Sequence, residues 1–253
     1  MRDIVKSKIT DPELVERRRG QIIAAAIDLF GRQGYHVTKM REIADQAGVS
    51  IGLIYQYVED KEDVLFLALV EVLDSYMREI PAAVARESEP LARFRSAVYA
   101  YCKVNDEAVD ATVLAYRETK SLAVERRKLI KQKELETNAM LAAVIRECEE
   151  AGLFEPVDIE LFVYQIIMFS HAWALKAWRF KNIMTVDEYV ERGLNMMLNS
   201  ALTPRGKKAY AKLALEPMPH YESVAPATLE TKSRRIKEPT ARRQPKGRAV
   251  RPA

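Results

Sequence analysis

Apolar residues recur at helical spacing along almost the whole chain, and this periodicity limits the possible folds more than any other sequence feature. Between residues 17 and 202 they return every three or four positions, which places them on one face of successive α-helices. No run of alternating apolar and polar residues predicts a β-strand. The sequence therefore predicts an all-α protein with about nine helices.

Changes in composition divide the chain into four segments. Residues 1–16 are interpreted as a flexible N-terminal arm. Residues 17–62 contain three short helical patterns, and residues 63–203 contain the longer ones. Residues 204–253 are rich in Pro, Lys and Arg, and we predict a basic, disordered tail there because these residues offer little apolar surface to bury.

Charge is distributed unevenly along the chain. Residues 204–253 carry 13 Lys and Arg against 4 Asp and Glu, residues 1–61 carry 10 against 9, and residues 62–203 carry 17 against 23. The basic tail has two interpretations: a solvated end, or a nonspecific tether that adds salt-sensitive affinity for a polyanion such as DNA. The sequence leaves both open.

Several classes of protein are excluded. No stretch approaches the roughly 18 consecutive apolar residues of a membrane span, and the first residues lack the apolar core of a secretory signal. We therefore expect a cytoplasmic protein with no membrane partner. Cys102 and Cys148 have no metal-ligand spacing and are interpreted as buried and unpaired. Without a phosphate loop or nucleophile motif, we expect no enzymatic activity and no cofactor.

The three short helices with a tight turn between the second and third predict a helix-turn-helix. Gly34 is expected to end the first helix, and Thr38 to cap the second. Gly48 suits a left-handed turn, and Ser50 can cap the third helix. The outer face of that third helix, which would meet a DNA major groove, carries Ile51, Gly52, Tyr55 and Gln56.

The stretch TKMREIADQAGVSIGLIYQYVEDKEDVL, residues 38–65, resembles the DNA-binding signature of the TetR family of bacterial repressors, and the likeness covers roughly residues 17–70. Two positions depart from the family pattern, since Ile51 stands where Lys is frequent and Val58 stands where Phe is usual. The matching positions are Thr38, Ile43, Ala44, Ala47, Gly48, Val49, Ser50, Gly52, Tyr55, Tyr57, Lys61 and Glu62.

The resemblance implies that four side chains hold DNA phosphates, namely those of Thr38, Tyr55, Tyr57 and Lys61. A free helix start at Lys61 would also favour an anion. The alternative for Tyr55 and Tyr57 is that they only cover the core of the domain.

Base contacts are assigned to other positions of the same motif. Gln56 and Ile51 are the candidates, with Ile51 reading thymine methyl groups by apolar contact. Gly52 has no side chain, so the backbone can approach the DNA closely. Ser50 completes the predicted DNA-binding set.

By the same resemblance, residues 63–203 form an effector-binding and dimerisation domain. Its last two helices, about residues 158–202, would pack against their two-fold mates in a homodimer. Aromatic groups in this domain could line an apolar cavity or simply pack the core. The candidate effector-binding residues among them and beside them are Phe94, Tyr99, Tyr116, Phe162, Met168, Phe169, His171, Trp173 and Trp178.

Two cations extend this candidate effector site. Arg117 and Lys120 would suit an acidic effector such as a fatty or aromatic acid or its coenzyme A thioester. Glu118 and the aromatic groups could serve a cationic or neutral molecule instead.

The resemblance thus implies a homodimeric repressor that binds operator DNA and releases it when a small molecule binds. The alternative is a helix-turn-helix activator or architectural DNA-binding protein that has no small-molecule effector.

Overall fold

The structure, a computed structural model, describes residues 4–219, 221 and 223. Within these residues the chain forms eleven α-helices and no β-strand, which confirms the all-α prediction. The helices are α1 (Pro12–Gln33), α2 (Met40–Gln46), α3 (Ile51–Ile54), α4 (Lys61–Val84), α5 (Pro90–Glu107), α6 (Val109–Glu118), α7 (Val124–Glu150), α8 (Ile159–Leu175), α9 (Ala177–Phe180), α10 (Val186–Ala201) and α11 (Pro204–Leu213).

Two helices exceed the expected nine. The predicted helix from Ile159 to Phe180 is interrupted at Lys176, whose backbone (φ −120°, ψ 25°) leaves the helical region, so α8 and α9 are separate. The other additional helix is α11, which lies within the predicted disordered tail.

The prediction of disorder from residue 204 onward is wrong for α11. The Thr203 hydroxyl accepts a hydrogen bond from the Gly206 N–H at 3.0 Å and caps this helix. Gly206 packs so closely on the segment that follows α7 that a Cβ there would overlap the carbonyl oxygen of Leu153. Residues 224–253, which carry most of the predicted tail, lie outside the described residues.

A buried arginine holds the other end of α11. Arg95 of α5 is 6% exposed, and its guanidinium donates to the carbonyl oxygens of Leu213, Glu216 and Pro217 at 2.7, 3.0 and 2.7 Å. The Leu213 carbonyl oxygen ends α11 and also accepts the Glu216 N–H at 3.1 Å, so the cation ties the end of the helix to the residues that follow it. Apolar periodicity could not reveal that the end of α11 is held by an arginine more than a hundred positions earlier in the chain.

The prediction of a flexible arm over residues 1–16 is wrong for its described part. Val5 is 2% exposed, and Arg19 of α1 donates to its carbonyl oxygen. The first helix also begins at Pro12, earlier than the apolar pattern indicates, because the Asp11 carboxylate accepts the N–H groups of Glu13 and Leu14.

Helix α4 joins the two ends of the molecule. It packs against α1 on one side and against α5, α6 and α7 on the other. Its side chains from Val64 to Val72 are buried, so a movement of α4 relative to either group of helices must repack a core. No helix among the described residues has the length and apolar character needed to cross a membrane.

Candidate DNA-binding surface and effector site

The glycines and the serine cap build the predicted helix-turn-helix. Gly34 ends α1 with φ of 93°, and Gly48 turns the chain between α2 and α3 with φ of 69°, so both adopt a conformation that favours glycine. Ala44 is fully buried where α2 meets α3, and its small side chain permits a close crossing. The Ser50 hydroxyl accepts the Leu53 N–H at 3.2 Å, which confirms its capping role.

One face of α3 is exposed to solvent. Ile51 is 39% exposed and Tyr55 is 41% exposed. A Cβ built on Gly52 would meet no atom within 4 Å, and its φ is not positive, so the fold itself does not require glycine there. The predicted DNA-binding residues that share this exposed face are Ser50, Ile51, Gly52, Tyr55 and Gln56.

Thr38 and Tyr57 do not share that face, so the structure does not bring them together with the other predicted DNA-binding residues. Thr38 is 1% exposed, and its hydroxyl donates to the carbonyl oxygen of Gly34 at 2.8 Å. Lys39, not Thr38, is the N-cap of α2. Tyr57 is 3% exposed and covers the core, as the alternative interpretation expected.

The Lys61 ammonium also forms hydrogen bonds within the chain. Its ammonium donates to the carbonyl oxygens of Tyr35, His36 and Thr38 at 2.8, 3.0 and 2.9 Å. An ammonium has three N–H donors, so all of them are used. Burial lowers the pKa of Lys61. The side chain therefore fixes the loop after α1, and the predicted phosphate contact would require the ammonium to leave one of these oxygens.

The first turn of α4 binds the start of α7. The Glu62 carboxylate accepts the Ala123 N–H at 2.9 Å, which caps α7 from outside, since its own N-cap offers no side chain bond. Asp63, 2% exposed, pairs with Arg126, whose guanidinium also lies over the Phe66 ring at 5.4 Å. These contacts connect the helix-turn-helix domain to the α6–α7 corner.

A histidine and three tyrosines meet between α4, α5, α6 and α8. The Tyr116 hydroxyl lies 2.7 Å from Nδ1 of His171. Nε2 lies 3.4 Å from the Tyr76 hydroxyl and 3.3 Å from the Tyr101 hydroxyl. Tyr76 in turn donates to the Asn105 side chain at 2.9 Å. We call these five residues the His171 cluster.

The hydrogen bonds of the His171 cluster form a chain. Burial lowers the pKa of His171 to about 4, so the imidazole is neutral at pH 7 and has one donor and one acceptor nitrogen. If Tyr116 donates to Nδ1, then Nε2 donates to the Tyr101 or Tyr76 oxygen. Burial and the nearby Glu134 carboxylate raise the pKa of Tyr116, so its hydroxyl keeps its proton. The Tyr116 oxygen is the exposed end of the chain.

Other predicted effector residues pack the core instead of joining this cluster. Phe94 and Phe162 stack with ring centroids 6.2 Å apart, and both are buried. Tyr99 is also buried, and its hydroxyl donates to the Asp187 carboxylate of α10 at 2.8 Å. These three side chains hold helices together, which is the alternative that the sequence left open.

Phe169 and Trp173 join α8 to α10. Phe169 stacks on Tyr189 with ring centroids 4.4 Å apart, and a Cβ at Gly193 would overlap its ring. Trp173 lies 5.1 Å from the same tyrosine, and its indole N–H donates to Asp106 at 3.0 Å. The glycine thus lets the two helices pack closely.

The remaining predicted effector residues are exposed. Met168 is 50% exposed and borders the His171 cluster, because its sulfur lies 3.6 Å from the Tyr116 hydroxyl. Arg117 and Lys120 lie on the exposed surface at the end of α6 and in the turn that follows. Trp178 is 72% exposed on α9. The two cations are accessible to an anion.

Sequence reasoning missed Tyr76, Tyr101 and Asn105. Tyr101 and Asn105 are four residues apart on α5, a spacing that places them on one helix face. These polar groups on an otherwise apolar face of α5 were the sequence feature that could have indicated a buried polar cluster. What the sequence could not show is that the faces of α4 and α5 meet beside His171.

A separate cavity of about 370 Å³ lies where α11 and the residues after it cover α5 and α10. None of the predicted effector residues lines it. Its polar wall is formed by Arg95 and Glu191, and its apolar wall includes Leu194, Tyr210 and Met218.

The two cysteines are buried and unpaired, as predicted. Burial raises the pKa of the Cys102 and Cys148 thiols to about 12, so neither is a thiolate at neutral pH. The Cys102 sulfur lies 3.1 Å from the Ser170 hydroxyl in the core.

A helix-turn-helix with an exposed third helix, attached to a larger helical domain, defines a DNA-binding regulator. Residues 22–68 match bacterial regulatory proteins of the tetR family, and residues 87–176 match the tetracyclin repressor-like C-terminal domain. The transcriptional regulator HbdR of Aromatoleum sp. (strain CIB) is 52% identical over 209 residues, or 83% of this chain and 91% of that protein. The chain belongs to the TetR family of transcriptional regulators and is not an enzyme.

Solved structures share the fold. A tetR-family regulatory protein from Rhodococcus RHA1 aligns with a TM-score of 0.67 and 24% identity, covering 74% of this chain and 98% of that one. AibR in complex with isovaleryl coenzyme A and operator DNA aligns with a TM-score of 0.60 and 20% identity, covering 71% and 97%. At these identities the likeness concerns the fold alone.

Proposed function

We propose that the protein is a cytoplasmic, homodimeric repressor that binds operator DNA through α3 and releases it when an acyl thioester or related acid binds. The exposed face of α3 carries this proposal. It combines exposed Tyr55 and Gln56 with Gly52, a position where the fold itself would accept a side chain. A backbone without a side chain can approach the floor of a major groove closely.

An exposed apolar face supports the dimer. On α8, Leu161, Tyr164 and Met168 are 57%, 43% and 50% exposed and follow one another at helical spacing, and Met196 of α10 is 79% exposed. A patch of this kind favours burial against a second copy of itself in a two-fold dimer. Two recognition helices would then enter successive major grooves about 34–36 Å apart.

Operator binding is tested with the DNA upstream of the protein's own gene. We expect one upstream fragment to bind at least about a hundredfold tighter than an unrelated duplex, measured by fluorescence anisotropy at two salt concentrations. Sedimentation of the free protein gives its mass, for which we expect a dimer. Equal binding to every duplex contradicts a specific operator in the fragments tested, and a monomer contradicts the dimer.

Tyr55→Phe tests the predicted phosphate contact. Loss of a hydrogen bond to a charged group costs about 1.5–3 kcal/mol, so operator affinity should fall roughly tenfold or more. The thermal midpoint should not change, because Tyr55 is exposed. Tyr210→Phe, the same change at a partly exposed position of α11 outside α3 and the proposed dimer face, is the matched control and should leave operator affinity unchanged. Equal affinities for wild type and Tyr55→Phe would contradict the contact.

The His171 cluster supports a carbonyl-containing effector. Its groups are neutral hydroxyl, imidazole and amide groups, which bind a thioester carbonyl without a charge. The Glu134 carboxylate beside Tyr116 would repel a free carboxylate at this point. Arg117 and Lys120 follow closely after Tyr116 in the sequence and are exposed, so their positive charges suit the phosphates of coenzyme A. The binding of isovaleryl coenzyme A by AibR agrees with this chemistry.

Thermal shift decides between thioester and acid. We expect isovaleryl-, octanoyl- or benzoyl-coenzyme A to raise the thermal midpoint and release the operator, whereas the corresponding acids and coenzyme A alone do not. A ligand at a hundred times its Kd stabilises by about 2.7 kcal/mol, which such a scan resolves. Tyr116→Phe should weaken the response and Tyr210→Phe should not. Specific operator binding without a response to any of these compounds would favour the effector-independent DNA-binding protein instead.

A further inference from the structure

The segment before α1 lies against the end of the recognition helix. The Lys8 N–H donates to the carbonyl oxygen of Gln56 at 2.8 Å, and the Ser7 hydroxyl donates to the same oxygen at 3.2 Å. Gln56 follows α3 directly and belongs to its exposed face. Residues 7 and 8 therefore lie at the edge of the surface proposed to meet DNA.

A single buried guanidinium fixes this position. Arg19 is 5% exposed and donates to the Val5 carbonyl oxygen on one side and, at 3.1 Å, to the Tyr57 carbonyl oxygen on the other. The Val5 side chain is itself buried in the core of the domain. The segment from Val5 to Lys8, here called the docked arm, is thus held beside α3 by main-chain and side-chain contacts together.

The docked arm exposes two cations where α3 has none. Lys6 and Lys8 are exposed, and within the described part of the chain neither ammonium pairs with a carboxylate. The four residues of α3 include no Lys or Arg, and Ile51 stands at its first position. The Lys61 ammonium is fully used by three carbonyl oxygens. Other cations must therefore neutralise phosphates near α3.

We propose that the docked arm places Lys6 and Lys8 on the DNA phosphates that flank the groove entered by α3. The two lysines supply backbone affinity and orientation without reading sequence, since phosphates carry no base information. This rests on the operator binding proposed above. Each contact releases a condensed counterion, so it contributes about 0.9 to the slope of log K against log salt.

A Lys6→Gln/Lys8→Gln double variant tests the proposal in salt titrations with the operator fragment. Because the proposed dimer carries two docked arms, the variant loses four phosphate contacts, and we expect a slope shallower by about 3.6, so that the ratio of variant to wild-type Kd shrinks about 150-fold between 50 and 200 mM salt. The preference for the operator over an unrelated duplex at fixed salt should persist. Lys207→Gln/Lys208→Gln removes two exposed lysines of α11 and should keep the wild-type slope.

A second variant separates charge from placement. Val5→Asn keeps both lysines but removes the buried anchor of the docked arm, and it should weaken operator binding in the same direction, with the thermal midpoint checked in parallel. A wild-type slope in the double lysine variant, or wild-type affinity in folded Val5→Asn, would overturn the proposal. If the wild-type protein bound the operator no more tightly than an unrelated duplex, that result would instead contradict the proposed function.

Discussion

Arg126→Met is expected to lower the free energy of unfolding by about 3–5 kcal/mol, because it leaves the Asp63 carboxylate buried without its cation. Asp63 is 2% exposed, and the Glu59 N–H, which donates to it at 2.6 Å, carries no full charge. Arg126 also contacts Glu62, which caps α7. Removing the cation therefore weakens the connection between α4 and α7 as well as the ion pair, and urea unfolding measures the loss.

Two further variants show whether the loss comes from the unpaired carboxylate. Asp63→Asn combined with Arg126→Met removes both charges and should recover a large part of the stability. Lys128→Met is the control, because it breaks an ion pair with Glu125 whose side chains are 67% and 78% exposed. It should lower the free energy of unfolding by less than about 1 kcal/mol. If Arg126→Met and Lys128→Met proved equally stable, the buried pair would not hold the junction.

The helices and the turns of the N-terminal domain were predictable because their causes are local. Apolar spacing marks each long helix, and Gly34 and Gly48 mark the two positions of the N-terminal domain where φ is positive. Ser50 caps the helix that it directly precedes. The exposure of Tyr55 and Gln56 follows from the same spacing.

The features that the sequence did not indicate depend on contacts between residues of different segments. Lys61 has the motif position of a phosphate ligand, but the three carbonyl oxygens that it binds come from a loop more than twenty residues earlier. The docked arm is ordered by Arg19, and α11 is ordered by Arg95. Periodicity within a segment cannot show that a buried arginine elsewhere satisfies its carbonyl groups.

The candidate effector site was predictable only in part, for a related reason. Phe162, Phe169 and Trp173 of α8 were all effector candidates, since side chains that line a cavity and side chains that pack a core have the same chemistry. Which of them face one another depends on helix rotation. His171 meets tyrosines of three other helices, whereas Trp173, two residues later, turns towards α10 and Asp106.

Acid should destabilise the wild-type protein through His171 by about 3 kcal/mol between pH 7 and pH 4. Burial lowers the pKa of His171 to about 4 from an ordinary value of 6.5. Between these values the unfolded chain binds a proton that the folded protein does not, so stability rises with pH through this window and falls on acidification. Urea midpoints at pH 7, 6, 5 and 4 measure the effect.

His171→Gln removes the titrating group. Between pH 7 and pH 4 the variant should therefore lose about 3 kcal/mol less unfolding free energy than the wild type. Glu134, whose pKa is raised mainly by desolvation, remains in both proteins, so its effect largely cancels in the comparison. His36→Gln is the matched control, because His36 is 75% exposed and its replacement should leave the wild-type pH dependence nearly intact. Parallel plots of stability against pH for wild type and His171→Gln would mean that the imidazole accepts a proton as readily in the folded protein as in water. That result would contradict a neutral His171 within the hydrogen-bond chain from Tyr116 to Asn105.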